Sequence, residues 1–137
     1  YMVFQIIGAT LGALLGNVIA GGSVPIAPAP DTPLLSAILV EFLFTFALAL
    51  TVLNVATAQG TEGNSFYGLA IGFTVMCGAF AGGGISGGAF NPAVGIALSV
   101  GALLSGTGGG WILLYILVPL AGGALAALVF KLQGNDV

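Results

Sequence analysis

Long apolar runs, separated by short polar or glycine- and proline-rich segments, dominate the pattern along this chain. Four runs cover residues 2–20, 34–58, 67–81 and 111–131. Each is near the roughly 20 residues that an α-helix needs to cross a bilayer, and the third is the shortest. The pattern therefore predicts an all-α transmembrane protein with four membrane-spanning helices.

The segments between the runs differ in character. Residues 21–33 contain four prolines and two glycines, which predicts an irregular, exposed loop. Residues 59–64 form a short polar loop. Glycine fills five of the seven positions from 82 to 88, which predicts an extended backbone with few side chains. Such a backbone can present a column of carbonyl oxygens to a polar solute, and we expect this from Ile85, Ser86, Gly87, Gly88 and Ala89. A phosphate-binding loop would normally carry a following lysine, which is absent, and a flexible surface loop remains an alternative.

The tripeptide Asn91-Pro92-Ala93 follows this glycine-rich segment and predicts the start of a helix. Asparagine is a preferred N-cap residue, and proline suits the first helical position. The apolar residues up to Leu104 are too few to span a bilayer, so we expect a re-entrant half-helix over residues 91–104. A polar helix start at membrane depth must be buried in protein or face water. Asn91 would cap the helix with its oxygen and offer its amide group as a donor to a passing solute.

Composition narrows the class of protein. The chain is 58% hydrophobic and only 4% charged, which a water-exposed domain of this size would not be. We therefore expect an integral, multi-pass protein whose main partner is the lipid bilayer. One basic residue excludes a nucleic-acid surface, and the lack of histidine and of paired acids argues against an enzyme, a metal site or a cofactor. That basic residue, Lys131, ends the last run, so the positive-inside rule places the C-terminus in the cytoplasm.

Glu41 is an acid several residues inside the second run. A carboxylate at that depth is costly unless it is paired or faces water. Because Lys131 is a poor candidate partner, we expect backbone N–H groups of the 82–90 segment to bind it as a structural buried acid. A proton-relay role is the alternative.

Several segments together resemble the aquaporins, or major intrinsic proteins. The stretch 85–93, ISGGAFNPA, resembles a signature loop of that family. The stretches FQIIGA at 4–9, EFLFTF at 41–46, GLAIG at 68–72 and VPLAGGA at 118–124 resemble its third, fourth, fifth and sixth spans, in that order.

The resemblance implies more than the residues alone. Aquaporins consist of two inverted repeats, each with three spans, one half-helix and one NPA motif. Residues 1–137 then form a single, partial membrane domain: the third span at 2–20 and the second repeat at 34–131, with its re-entrant helix at 91–104. The first two spans and the first motif would be missing from the beginning. A homotetramer in the cell membrane, conducting water and small neutral solutes passively, is what the family implies.

The resemblance also assigns a half-filter. The position after the second motif is usually arginine in the family and is Val94 in this chain. The two other filter positions fall at Gly88 and Ala79. Water-selective members of the family often have histidine at the position of Ala79. This predicts a wide, apolar half-filter and a less selective pore. Three rivals stay open: a non-conducting aquaporin-like fragment, a proton-coupled transporter using Glu41, and a pore formed by an antiparallel homodimer.

Overall fold

Five α-helices make up most of residues 1–134, the part of the chain that the computed structural model describes. They are α1 (Met2–Ala20), α2 (Leu34–Val52), α3 (Tyr67–Ser86), α4 (Pro92–Leu104) and α5 (Ile112–Leu132). Four helical segments are long and apolar enough to cross a membrane, and α4 is not. The predicted all-α class with four candidate spans is therefore confirmed. Residues 135–137, the end of the predicted domain, lie outside the described residues.

The second span is longer than α2 because its winding continues past Val52. A π-helical turn, Leu53–Thr57, extends it, and a 3₁₀ turn, Gln59–Thr61, follows. Asn64 closes this end of the helix, since its amide nitrogen donates to the Val55 carbonyl at 2.7 Å and to the Thr61 carbonyl at 2.6 Å. The polar loop is thus built from short helical turns and side-chain hydrogen bonds.

The third span differs from the sequence-based expectation. We expected it to end at residue 81 and an extended backbone to begin at Gly82, but α3 continues to Ser86. In an apolar setting, helix winding satisfies backbone groups that an extended segment would leave unpaired, and this outweighs the low helix propensity of glycine. Only residues 87–90 are left as an irregular connection between α3 and α4.

Glycines set how closely the helices approach one another. α2 packs against α3 and α5, and α4 packs against α1 and α5. A Cβ on Gly82 of α3 would lie 2.5 Å from the Val40 side chain of α2. A Cβ on Gly122 of α5 would lie 2.6 Å from the Phe42 carbonyl oxygen. The contact of α2 with both neighbours therefore depends on missing side chains, as is common where helices pack in membranes.

The proline-rich loop, residues 21–33, is irregular as predicted but not wholly exposed. Ile26 is buried, and the Ala29 N–H donates to the Ile85 carbonyl at 2.9 Å. The loop therefore packs onto the C-terminal end of α3, because a buried apolar side chain and a backbone hydrogen bond both fix it there. This brings it next to the connection that leads into α4.

Candidate functional site

The start of α4 has the capped geometry that the sequence predicts. Asn91 is the N-cap in extended backbone conformation, and its Oδ1 accepts from the Ala93 N–H at 2.9 Å. Pro92 occupies the first helical position, and the Gly95 N–H donates to the Asn91 carbonyl. The amide nitrogen of Asn91 has no hydrogen-bond partner among residues 1–134. It is therefore available as a donor beside the positive end of the α4 dipole.

The connection before Asn91 turns sharply. Gly87 and Gly88 have φ values of 90° and 70°, in the left-handed region that favours glycine. Phe90 also lies there, with φ of 48°, which is uncommon for a residue with a bulky side chain. Its ring packs against Phe44 of α2 with centroids 5.3 Å apart. The strained backbone is therefore held by contacts outside the turn.

Glu41 provides the main support for this turn. The residue is fully buried, and its Oε1 accepts from the Ser86 hydroxyl at 2.7 Å and from the Ala89 N–H at 3.0 Å. Its Oε2 accepts from the Phe90 N–H at 2.7 Å. Two of these donors are backbone amides of the segment expected from the sequence. Glu41 on α2 therefore fixes the backbone that leads directly into the capped helix.

A second support comes from α5. Tyr115 is fully buried, and its hydroxyl donates to the Ser86 carbonyl. On the other side of the same tyrosine, a Cβ added to Gly95 of α4 would overlap the Tyr115 Cβ. Tyr115 was not predicted from the sequence as a site residue, although it is the only tyrosine of α5 and, with Lys131, one of the two residues of that helix with a hydrogen-bonding side chain.

The carbonyl groups of this segment fall into two sets. Those of Ile85 and Ser86 already accept hydrogen bonds from the Ala29 N–H and the Tyr115 hydroxyl, and both residues belong to α3. The extended backbone that the sequence predicts is absent at these two residues, which are helical. The remaining three accept no hydrogen bond within the described part of the chain; they belong to Gly87, Gly88 and Ala89.

Two cavities adjoin the start of α4. One, of about 510 Å³, is lined by Asn91 and Pro92 together with residues of α2 and α5. Thr45 also lines it, and its buried hydroxyl has no hydrogen-bond partner within residues 1–134, a feature that the sequence analysis did not detect. The other cavity, of about 340 Å³, lies between α1 and α4 and is lined by Val94. Asn91 and Pro92 thus border one cavity, whereas Val94 borders the other.

The three predicted filter residues lie on different elements. Ala79 is exposed on α3, Gly88 is partly buried in the turn, and Val94 is 37% exposed on the first turn of α4. Neither of the two cavities described above is lined by Ala79 or Gly88. Within the described residues, no group of three or more histidine, cysteine or acidic side chains could hold a metal ion.

Comparison with known proteins agrees with the resemblance seen in the sequence. The family model described as "Major intrinsic protein" matches residues 1–130. Aquaporin TIP2-1 of Zea mays is 37% identical over 133 residues, which cover 95% of this chain and 51% of the relative. Aquaporin NIP1-4 of Oryza sativa is 31% identical over 134 residues, covering 96% of this chain and 47% of the relative. Nodulin-26 of Glycine max is 30% identical, covering 96% and 51%. The chain spans about half the length of these curated relatives, and it belongs to the major intrinsic protein family.

Proposed function

We propose that the protein containing this chain is a passive membrane channel for water and small neutral solutes, with Asn91 at the centre of its pore. The observation that carries this proposal is the start of α4. There, a free amide donor and three unpartnered carbonyls lie next to one another on a backbone braced by a buried acid. A cavity of about 510 Å³ adjoins the same helix start.

Asn91 and the preceding turn offer complementary hydrogen bonds to water. The Asn91 amide donates to the oxygen of a passing water, and the carbonyls of Gly87, Gly88 and Ala89 accept from its hydrogens. These groups replace part of the hydration that the water loses on entering the pore. The N-terminus of α4 carries roughly half a positive charge, which disfavours protons and other cations at this point.

The proposed half-filter consists of Ala79, Gly88 and Val94. None of these side chains carries a charge or a hydrogen-bonding group, so this half does not reject solutes larger than water by polar contacts. We therefore propose that small uncharged solutes pass as well as water. Cation exclusion then depends more on the helix dipole than on a filter arginine.

The surroundings of Glu41 argue against the proton-coupled transporter. The carboxylate is fully buried and accepts three hydrogen bonds from Ser86, Ala89 and Phe90. A carboxylate that carried protons would lose the charge that strengthens all three of these hydrogen bonds, and the bonds hold the turn before Asn91. A structural role fits this arrangement better than a proton carrier does.

The channel that we propose contains two inverted repeats, of which this chain provides the second. Residues 2–20 correspond to a third span and 34–131 to a second inverted repeat, whose partner repeat supplies the other half of the pore. The assembly is a homotetramer in the cell membrane with the C-terminus in the cytoplasm. The following experiment distinguishes this channel from the alternative of a non-conducting, aquaporin-like protein.

Stopped-flow light scattering of proteoliposomes tests the proposal with the complete protein. We expect osmotic shrinkage faster than that of protein-free liposomes, glycerol uptake down its gradient, and no dependence of either rate on an imposed pH gradient. Val94→Arg should lower glycerol permeability more than water permeability. Shrinkage equal to that of protein-free liposomes would support the non-conducting rival, and uptake driven by the pH gradient would support the coupled transporter.

A further inference from the structure

Tyr115 lies where four parts of the fold meet. It belongs to α5, but it forms a buried apolar cluster with Ile26 of the proline-rich loop and Ala89 of the turn. Gly95 of α4 packs directly against the Cβ of Tyr115. A Cβ on Gly95 would lie only 3.1 Å from the Tyr115 carbonyl oxygen. The ring therefore fills the space behind the turn and the first helical turn of α4.

The Tyr115 hydroxyl has a separate task from the ring. It donates to the carbonyl of Ser86, the last residue of α3. The Ser86 hydroxyl in turn donates to Glu41, and its oxygen accepts from the Gly88 N–H at 3.2 Å. Ser86 thus receives or makes hydrogen bonds to α2, α5 and the turn, and it is fully buried. The position of its peptide group determines where the following backbone begins to turn.

Gly87, the next residue, lies close against the proline-rich loop. Its φ is 90°, and a Cβ on it would lie 2.9 Å from Ile26 and 3.0 Å from the Ala27 carbonyl oxygen. Because the loop limits where Gly87 can move, a displaced Ser86 carbonyl would change the directions of the Gly87 and Gly88 carbonyls.

We propose that Tyr115 is a positioning residue for conduction: its hydroxyl sets the direction of the Gly87–Ala89 carbonyls by holding the Ser86 carbonyl from behind. This inference rests on the proposed function, because it assigns those carbonyls to the pore. Tyr115 itself touches no solute. It complements Glu41, since the acid binds the amide side of the turn and the tyrosine binds the carbonyl side.

The test compares three variants of the complete protein in proteoliposomes. Tyr115→Phe keeps the ring and removes only the hydroxyl. Leu114→Ala removes packing next to the same cluster without removing a hydrogen bond. Tyr67→Phe removes the hydroxyl of an exposed tyrosine at the start of α3. The measurements are water permeability, glycerol permeability, and deuterium uptake of the peptide that contains residues 87–91.

We expect Tyr115→Phe to raise the ratio of glycerol to water permeability roughly two- to tenfold, the range expected for loss of one hydrogen bond. Glycerol also contacts the apolar half-filter through its carbon chain, whereas water interacts with the pore by hydrogen bonds alone, so the flux of water falls further. Deuterium uptake of residues 87–91 should rise. Leu114→Ala should lower thermal stability at an unchanged ratio, and Tyr67→Phe should change neither quantity.

Several outcomes would overturn the inference. A fall of both permeabilities in proportion would show that the hydroxyl only helps the protein to fold, and so would failure to recover folded Tyr115→Phe protein. Wild-type protein that conducts neither solute would refute the proposed function instead. In that case deuterium uptake decides about Tyr115, because uptake at residues 87–91 that is equal in wild type and Tyr115→Phe contradicts the positioning role.

Discussion

Replacing Glu41 by glutamine removes the charge of the buried acid with almost no change in shape. The carboxylate accepts three hydrogen bonds, at 2.7, 3.0 and 2.7 Å. Hydrogen bonds to charged groups each contribute about 1.5–3 kcal/mol net, against about 0.5–1.5 kcal/mol for neutral pairs. Glutamine keeps one oxygen, so two bonds lose about 1 kcal/mol each. The third is lost entirely, because the glutamine oxygen keeps two donors only in the Oε1 position, and the amide nitrogen then faces the Phe90 N–H.

The summed hydrogen-bond losses exceed the net change that we expect in the free energy of unfolding, since part of the turn relaxes around the glutamine side chain. We expect Glu41→Gln to lower the free energy of unfolding by about 3 kcal/mol. The hydrogen-bond values are already net of lost hydration, so the burial of the carboxylate is not subtracted again. Denaturation of the complete protein in mixed detergent and SDS micelles, followed by circular dichroism, measures this difference.

Glu62→Gln is the matched control. Glu62 is exposed in the loop between α2 and α3, so its replacement should change the free energy of unfolding by less than about 0.5 kcal/mol. A Glu41→Gln protein that unfolds like the Glu62→Gln protein would refute the view that the buried carboxylate holds the turn. Amide exchange at Ala89 and Phe90 should also accelerate in Glu41→Gln alone.

Further substitutions test the packing and the cap. Gly95→Ala places a methyl group against Tyr115 and should destabilise the protein by about 1–3 kcal/mol. Gly84 has open space around it, so the control Gly84→Ala should not destabilise the protein. Equal melting temperatures of the two variants would contradict this packing. Asn91→Ala removes the cap on Ala93 and should cost about 0.5–2 kcal/mol in thermal unfolding. Asn91→Asp keeps the capping oxygen and suits the helix dipole, so it should retain stability while water permeability falls; undiminished water flux would show that the amide donor is not used.

The sequence predicted the helices well because their lengths follow directly from apolar runs. The cap at Asn91 was also predictable, since asparagine is a preferred N-cap residue and proline suits the first helical position before an apolar run. The extent of α3 was not, because glycine propensity in water indicates a break at Gly82 whereas tight packing against Val40 and the need to satisfy backbone groups keep the helix intact to Ser86.

The supports of the site were only half predictable. An acid within an apolar run demands partners, which pointed from Glu41 to the neighbouring backbone. Nothing comparable marks Tyr115, since a tyrosine near a helix end is also typical of membrane interfaces. Its contact with Ser86 joins residues 29 positions apart and depends on how α5 packs beside α2 and α4. Ile26 is a similar case, because prolines around it indicate an exposed loop although its side chain is buried.

The pairing of α1 has a consequence for biosynthesis. Within residues 1–134, α1 packs against α4 and against no other helix. About 70 residues separate the two, and translation at roughly 5–20 residues per second delays the arrival of α4 by roughly 4–14 seconds. As far as this chain is concerned, α1 must wait in the membrane beside lipid or insertion machinery while α2 and α3 emerge. The face of α1 that packs against α4 therefore stays without its partner, and open to quality-control factors, for longer than the faces of α2 that pack against α3 and α5.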